Sequence, residues 1–147
     1  MKNGLVIIID RYDRAMILAN QQALFVFGDN LERVGYGGQA AEARDCPNAV
    51  GIPTKISPSE YIFDDQVEED RDRFRIPIEK AFGKLVAHLD EGGTVVWPKD
   101  GVGTGLARLD VTAPKLFSLI EQAKERMFSR AEKVMQTTQD EVNNQGK

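Results

Sequence analysis

The chain has 147 residues, 41% of them hydrophobic and 29% charged, with a formal net charge of -4. This is the composition of one globular domain, and the negative balance argues against a protein that grips nucleic acid or an anionic membrane by bulk charge. The single cysteine, Cys46, excludes an intrachain disulfide and a thiolate metal cluster built from one chain.

Leu5–Ile9, LVIII, is a continuous apolar run and reads as a buried strand ending at Asp10. It is too short for a secretory leader or a membrane span, so a cytoplasmic setting is expected. Residues 15–22 fit either a short helix or a connection. Ala23–Phe27, ALFVF, reads as a second strand stopped by Gly28. Gln39–Arg44 reads as a short helix, rich in alanine and ended by Cys46 and Pro47. Cys46 is taken as an unreactive loop residue.

Asn48–Ile52 is expected to be a third strand closed by Pro53, leaving Thr54 and Lys55 just beyond it. The polar connection that follows carries Asp64, Asp65, Glu68, Glu69, Asp70 and Asp72. It lacks the ordered ligand spacing of a calcium loop and reads as a solvated helix start. Ile78, Phe82, Leu85 and Leu89 recur at helical spacing and predict an amphipathic helix of about four turns, ended by Gly92 and Gly93. His88 lies beside that stripe and reads as a surface or edge residue. Thr94–Trp97 is a fourth strand stopped by Pro98, with Trp97 in the core. Pro114 suits the first turn of a last helix whose buried stripe is Leu116, Ile120, Ala123 and Met127. Beyond Ser129 the apolar pattern thins. The expected organisation is one α/β domain over 1–128 and a helical extension over 129–147 that frays into a polar tail.

Strands alternating with helical segments predict a three-layer α/β/α sandwich with a mostly parallel sheet. Two glycine-rich loops follow the second and fourth strands: Gly35, Tyr36, Gly37, Gly38 in one, and Gly101, Val102, Gly103, Thr104, Gly105, Leu106 in the other. In a parallel sheet both emerge at the carboxyl edge, where such folds bind ligands. Glycines let a ligand approach the backbone, and free N–H groups hold an anion without lysine. A helix starting at Gln39 would add its dipole. Neither a Walker A loop nor the G-x-G-x-x-G fingerprint is present.

The segments FVFGDNLERVGYGGQAAEAR, PNAVGIPTK and VVWPKDGVGTGLARL resemble a family of small uncharacterised proteins of bacteria and their phages. More distantly, the layout resembles the macrodomain, an ADP-ribose-binding α/β/α fold. That resemblance implies that Asn30 lies near the distal ribose. It sets Gly35, Gly37 and Gly38 around that ribose and the adjoining phosphate, and gives the diphosphate to 101–106. Asp10 is then a candidate adenine contact. A competing resemblance links VVWPKDGVGTG to the lysine-decarboxylase-like phosphoribohydrolases, but Ala107 stands where those enzymes carry a glutamate.

The chemistry these residues offer is modest. Asp29 could orient a water as general base and Asn30 could bond ribose hydroxyls. The alternative for both is that they satisfy loop backbone groups. Gly28 and Gln39 flank the first loop. Thr54, Lys55 and Lys99 follow strand-ending prolines within reach of the same ligand, and Tyr36 could stack on a ribose or base. The expected function is binding of ADP-ribose or a related NAD-derived nucleotide, with hydrolysis of an ADP-ribosyl bond as its catalytic extension. The alternatives are a non-catalytic sensor or sequestering module, a phosphoribohydrolase-like fold, and an interaction protein that uses the acidic 64–72 segment. No cofactor, metal, nucleic acid or membrane is expected as a partner.

Overall fold

The structure, a computed structural model, describes residues 3–60, 62, 68–102 and 108–145, and of residues 68–71 and 145 the backbone only. The elements in chain order are β1 (Leu5–Ile9), α1 (Arg14–Ala19), β2 (Ala23–Asn30), α2 (Ala40–Ala43), β3 (Ala49–Lys55) and α3 (Glu68–Asp90). There follow β4 (Thr94–Pro98), α4 (Leu109–Thr112), α5 (Pro114–Ser129), β5 (Lys133–Thr137) and α6 (Gln139–Gln145). Local chemistry sets several boundaries. Asp13 Oδ1 accepts the Met16 N–H at 2.8 Å and starts α1. Gly92, at φ 89°, ends α3, and Pro114 opens α5.

The strands form one parallel sheet in the order β3-β2-β4-β1-β5. The chain moves toward one edge through β2 and β3, then back through β4 and β5. Right-handed crossovers therefore put α1 and α2 on one face and α3 and α5 on the other. The two cores follow this division. Val6, Val26, Ile52, Val95 and Trp97 meet α3 and α5, while Ile9, Phe25, Phe27 and Val96 meet α1 and α2. The fold is a three-layer α/β/α sandwich.

The layers are unequal. On one side lie helices of 23 and 16 residues. On the other, α1 has 6 residues and α2 has 4, and α6 adds Val142 to their cluster. The thin layer leaves a cavity of about 220 Å3 over Ile7, Ala23, Phe25 and Val96, walled by Met16 and Val142.

Several expectations differ from the structure, the first three for nonlocal reasons. Gly28 does not stop β2, because that strand stays paired with β3 as far as Asn30. Pro53 lies inside β3 and not at its end. The register turns alternate residues Ala49, Gly51 and Pro53 toward the open edge, where a missing N–H costs nothing. The segment expected to continue α5 as a helical extension is instead a strand, β5, paired in register with β1 from Leu5↔Lys133 to Ile9↔Thr137. The first helix of the α3/α5 face also begins earlier than its apolar stripe, at Glu68, and carries Pro77 inside it.

The stripe of α5 is as expected: Leu116, Ile120, Ala123 and Met127 are all buried. Ile120 is wholly inaccessible, so Ile120→Ala should cost about 2–5 kcal/mol through lost transfer energy and an unfilled cavity. Urea denaturation monitored through Trp97 fluorescence measures this, and a loss well under 1 kcal/mol would contradict the packing described.

Candidate functional site

β2 and β4, neighbours in the sheet, send their connections to opposite faces and part from one another at their carboxyl ends. β2 leads to α2 and β4 leads to α4 and α5, so the crevice between their carboxyl ends is a topological switch point. The β2–β4 ladder ends at Phe25↔Val96. Past that pair β2 follows β3, and β4 follows β1 as far as Ile9↔Pro98.

Parting the strands exposes main-chain groups of Val26 and Gly28 that point toward β4. Two of them have side-chain partners. The Tyr12 hydroxyl donates to the Val26 carbonyl. The Gly28 N–H donates to Gln39 Oε1 at 2.6 Å. Burial pushes the Tyr12 phenol above its ordinary pKa, so it stays a neutral donor. Gln39 then reaches across, and its Nε2 donates to the Gly101 carbonyl at 3.3 Å. The two glycine-rich segments thus meet through one amide side chain. A Cβ on Gly28 would stand 3.4 Å from Gln39 Oε1, 3.8 Å from Thr54 Oγ1 and 3.9 Å from Val102.

The first loop is held in shape by a buried ion-pair cluster. Asp29 Oδ1 is paired with Arg44, and Asp29 Oδ2 accepts from Arg33 Nη1 at 3.0 Å. Arg44, itself buried, also donates from Nε to the Gly35 carbonyl at 2.5 Å and lies 5.7 Å from the centroid of the Phe27 ring. Gly35 has φ 93°, a conformation that suits glycine. Asn30 spends its side chain on the same loop. Its Nδ2 donates to the Val34 carbonyl at 2.8 Å, and Oδ1 accepts the Val34 N–H at 3.5 Å. Thr54 donates to the Asp29 carbonyl at 3.2 Å. Asp29 and Asn30, the candidate catalytic pair, are therefore engaged in positioning the loop.

The remaining candidates fall into two groups. Gly28, Gln39, Thr54, Gly101 and Val102 converge on the crevice. Gly37 follows in the same loop with open space around it, and Gly38 takes φ 57° just before Gln39. Lys99 is exposed just past the end of β4. Lys55 donates to the Pro58 carbonyl at 3.1 Å. Exposed Tyr36 donates to Asp45 Oδ2 at 2.6 Å, a bond that raises its pKa. Asp10 is not brought to the crevice: its Oδ1 accepts the Gln139 N–H at 2.8 Å, at the start of α6. Gly103, Thr104, Gly105 and Leu106 lie outside the described residues, as do Asp64 and Asp65 of the acidic segment. The expected helix at Gln39 shortens to the four residues of α2, too few for an appreciable macrodipole, so the crevice depends on loop amides.

Two contributors escaped the sequence reading. Tyr12 had only the signal of an aromatic in a polar turn. Arg44 stood only at the end of the Gln39–Arg44 helix, and nothing in its spacing announced burial beside Asp29. His88 stands apart at the amino edge, where its Nε2 hydrogen donates to the Gln22 carbonyl at 2.9 Å. Among the described residues no group of three or more His, Cys, Asp or Glu could hold a metal, and no helix is long and apolar enough to cross a membrane.

A model for a family of unknown function, DUF7831, matches residues 7–123. The chain belongs to DUF7831. The matched DUF7831 segment includes both glycine-rich loops, the crevice and all of the Asp29 cluster, while β5 and α6 lie beyond it. No curated protein and no solved structure matches the chain.

Two outcomes test this geometry. Arg44→Met leaves a buried carboxylate without its main partner and should cost about 3–5 kcal/mol, whereas Arg44→Met combined with Asp29→Asn should cost clearly less; equal losses would mean that the two groups are not coupled. The Gln139 N–H bond holds the Asp10 carboxyl below the usual carboxylate range. Its contribution to docking α6 is then complete above the unfolded value of about 3.9 and is lost as pH falls through the lower folded value. The Gln139 amide resonance should move with that titration and become insensitive to pH in Asp10→Asn.

Proposed function

We propose that the crevice between β2 and β4 binds a phosphate-bearing nucleotide, with ADP-ribose or a related NAD-derived molecule as the leading ligand. One observation carries this reading: both glycine-rich segments reach the switch point of a parallel sheet and are joined there by Gln39. Open α/β sheets place ligands at that point. The chain's net charge of -4 is compatible with this, because main-chain N–H groups supply the anion contacts. Lys99 adds an exposed cation at the rim.

The choice of ADP-ribose follows from the macrodomain resemblance of the two loops and is the finer part of the proposal. Binding comes first. Hydrolysis of an ADP-ribosyl bond would require Asp29 to release Arg33, the more exposed of its two partners, before it could orient a water.

Thermal-shift measurements with ADP-ribose, NAD, AMP and inorganic phosphate test the reading. A ligand at about 100 times its Kd should add roughly 2.7 kcal/mol to the folded state and raise Tm by several degrees. Gly28→Ala sets a methyl group on the crevice floor at ordinary contact distances, so it should fold normally and lose most of the shift. Absence of a shift with all four compounds, or an undiminished shift in Gly28→Ala, overturns the assignment.

A further inference from the structure

The two edges of the sheet are finished differently. At the β3 edge Arg33 Nη1 donates to the outward Gly51 carbonyl at 2.8 Å, Pro53 has no N–H to offer, and the Ala49 N–H is taken by the Cys46 carbonyl at 3.1 Å. Such devices blunt an edge against further pairing. Among the described residues the β5 edge has none of these three. Its sequence, KVMQT, lacks proline, and Val134 and Met135 are 44% and 41% exposed. In a strand paired on one side only, every second residue turns its N–H and C=O outward. α6 does not cover them, because it runs back over the sheet to Asp10 and Asp13, held by the Gln139 N–H and by Gln139 Nε2 at 2.9 Å from Asp13 Oδ2.

We propose that β5 is a dimerisation edge: it pairs antiparallel with β5 of a second copy about a two-fold axis at Met135, making one continuous sheet across the pair. Charge selects a second copy of this chain as the occupant. That axis sets Lys133 of one copy opposite Thr137 of the other. Lys133, Met135 and Thr137 share one face, since side chains alternate along a strand. Val142 of α6 packs in the core of that same face. There Thr137 Oγ1 donates to Glu141 Oε2 at 2.6 Å, which parks a carboxylate beside the strand end. Each Lys133 ammonium therefore meets the Glu141 carboxylate of the second copy, twice by symmetry, with the two Met135 side chains meeting between them. An isologous interface needs this self-complementarity, basic at one end of the strand and acidic at the other. Lys133, Met135 and Thr137 turn their main-chain groups outward, so the neighbouring antiparallel registers differ by two residues, and either one takes Lys133 away from Thr137 and Glu141 of the second copy. β1 stands between β5 and β4 in the sheet, so the pairing edge is separate from the crevice.

Sedimentation velocity on the full chain, from low micromolar to several hundred micromolar, tests this. The expected result is a concentration-dependent dimer. Lys133→Glu, at an exposed position that leaves the monomer fold intact, should weaken it by roughly tenfold, through two lost ion pairs and two like-charge encounters. Adding Glu141→Lys to that variant should restore dimerisation, a rescue that a change in folding would not produce. A monomer at every concentration, a dimer indifferent to Lys133→Glu, or a double variant that fails to recover would each overturn the proposal.

Discussion

The separation of β2 from β4 after Phe25 and Val96 governs the carboxyl edge of this molecule. A parallel ladder that ends early leaves main-chain groups facing a gap, and buried unpaired groups are costly. The chain meets that demand with two side chains from the α1 and α2 side, Tyr12 and Gln39, and the second of them also ties the gap to the loop after β4. The crevice exists because these two residues make it affordable, and its floor is a glycine because any larger side chain would occupy the space between them.

The Asp29 cluster solves a different problem. A loop with several glycines loses much conformational entropy on ordering. Arg44 reaches both Asp29 and the Gly35 carbonyl, and Arg33 reaches both Asp29 and the Gly51 carbonyl, so each guanidinium fastens a side chain and a main-chain group together. Gly51 has no side chain where a Cβ would collide with the Asp29 carboxylate, and this lets the cluster sit against β3. Burial of this pair is weak evidence for net stability. Its geometric effect is plain: Arg44 and Arg33 fasten the end of β2 to the Gly35 and Gly51 carbonyls.

A continuous apolar run sufficed to read β1 with its observed limits, and a helical period to name the buried stripe of α5 residue by residue, because both signals are local. The parallel α/β class followed from their order. Gly28 and Pro53 misled because each is a breaker only when its neighbours are unknown: one is paired on its far side, the other faces an edge. Lys133–Thr137 has no burial pattern of its own and becomes a strand solely through its ladder with β1. Of the candidate site, the glycine loops and their meeting at one edge were legible. The Arg44–Asp29 contact was not, since it links positions fifteen residues apart through a turn that no periodicity describes.

The thin helical layer over Ile7, Phe25 and Val96 gives the molecule a soft side. Helices of six and four residues cannot fill the surface they cover, and the hollow that remains is partly open to solvent. Val142 is one wall of that opening, so the fit of α6 decides how far water reaches the apolar strands beneath it.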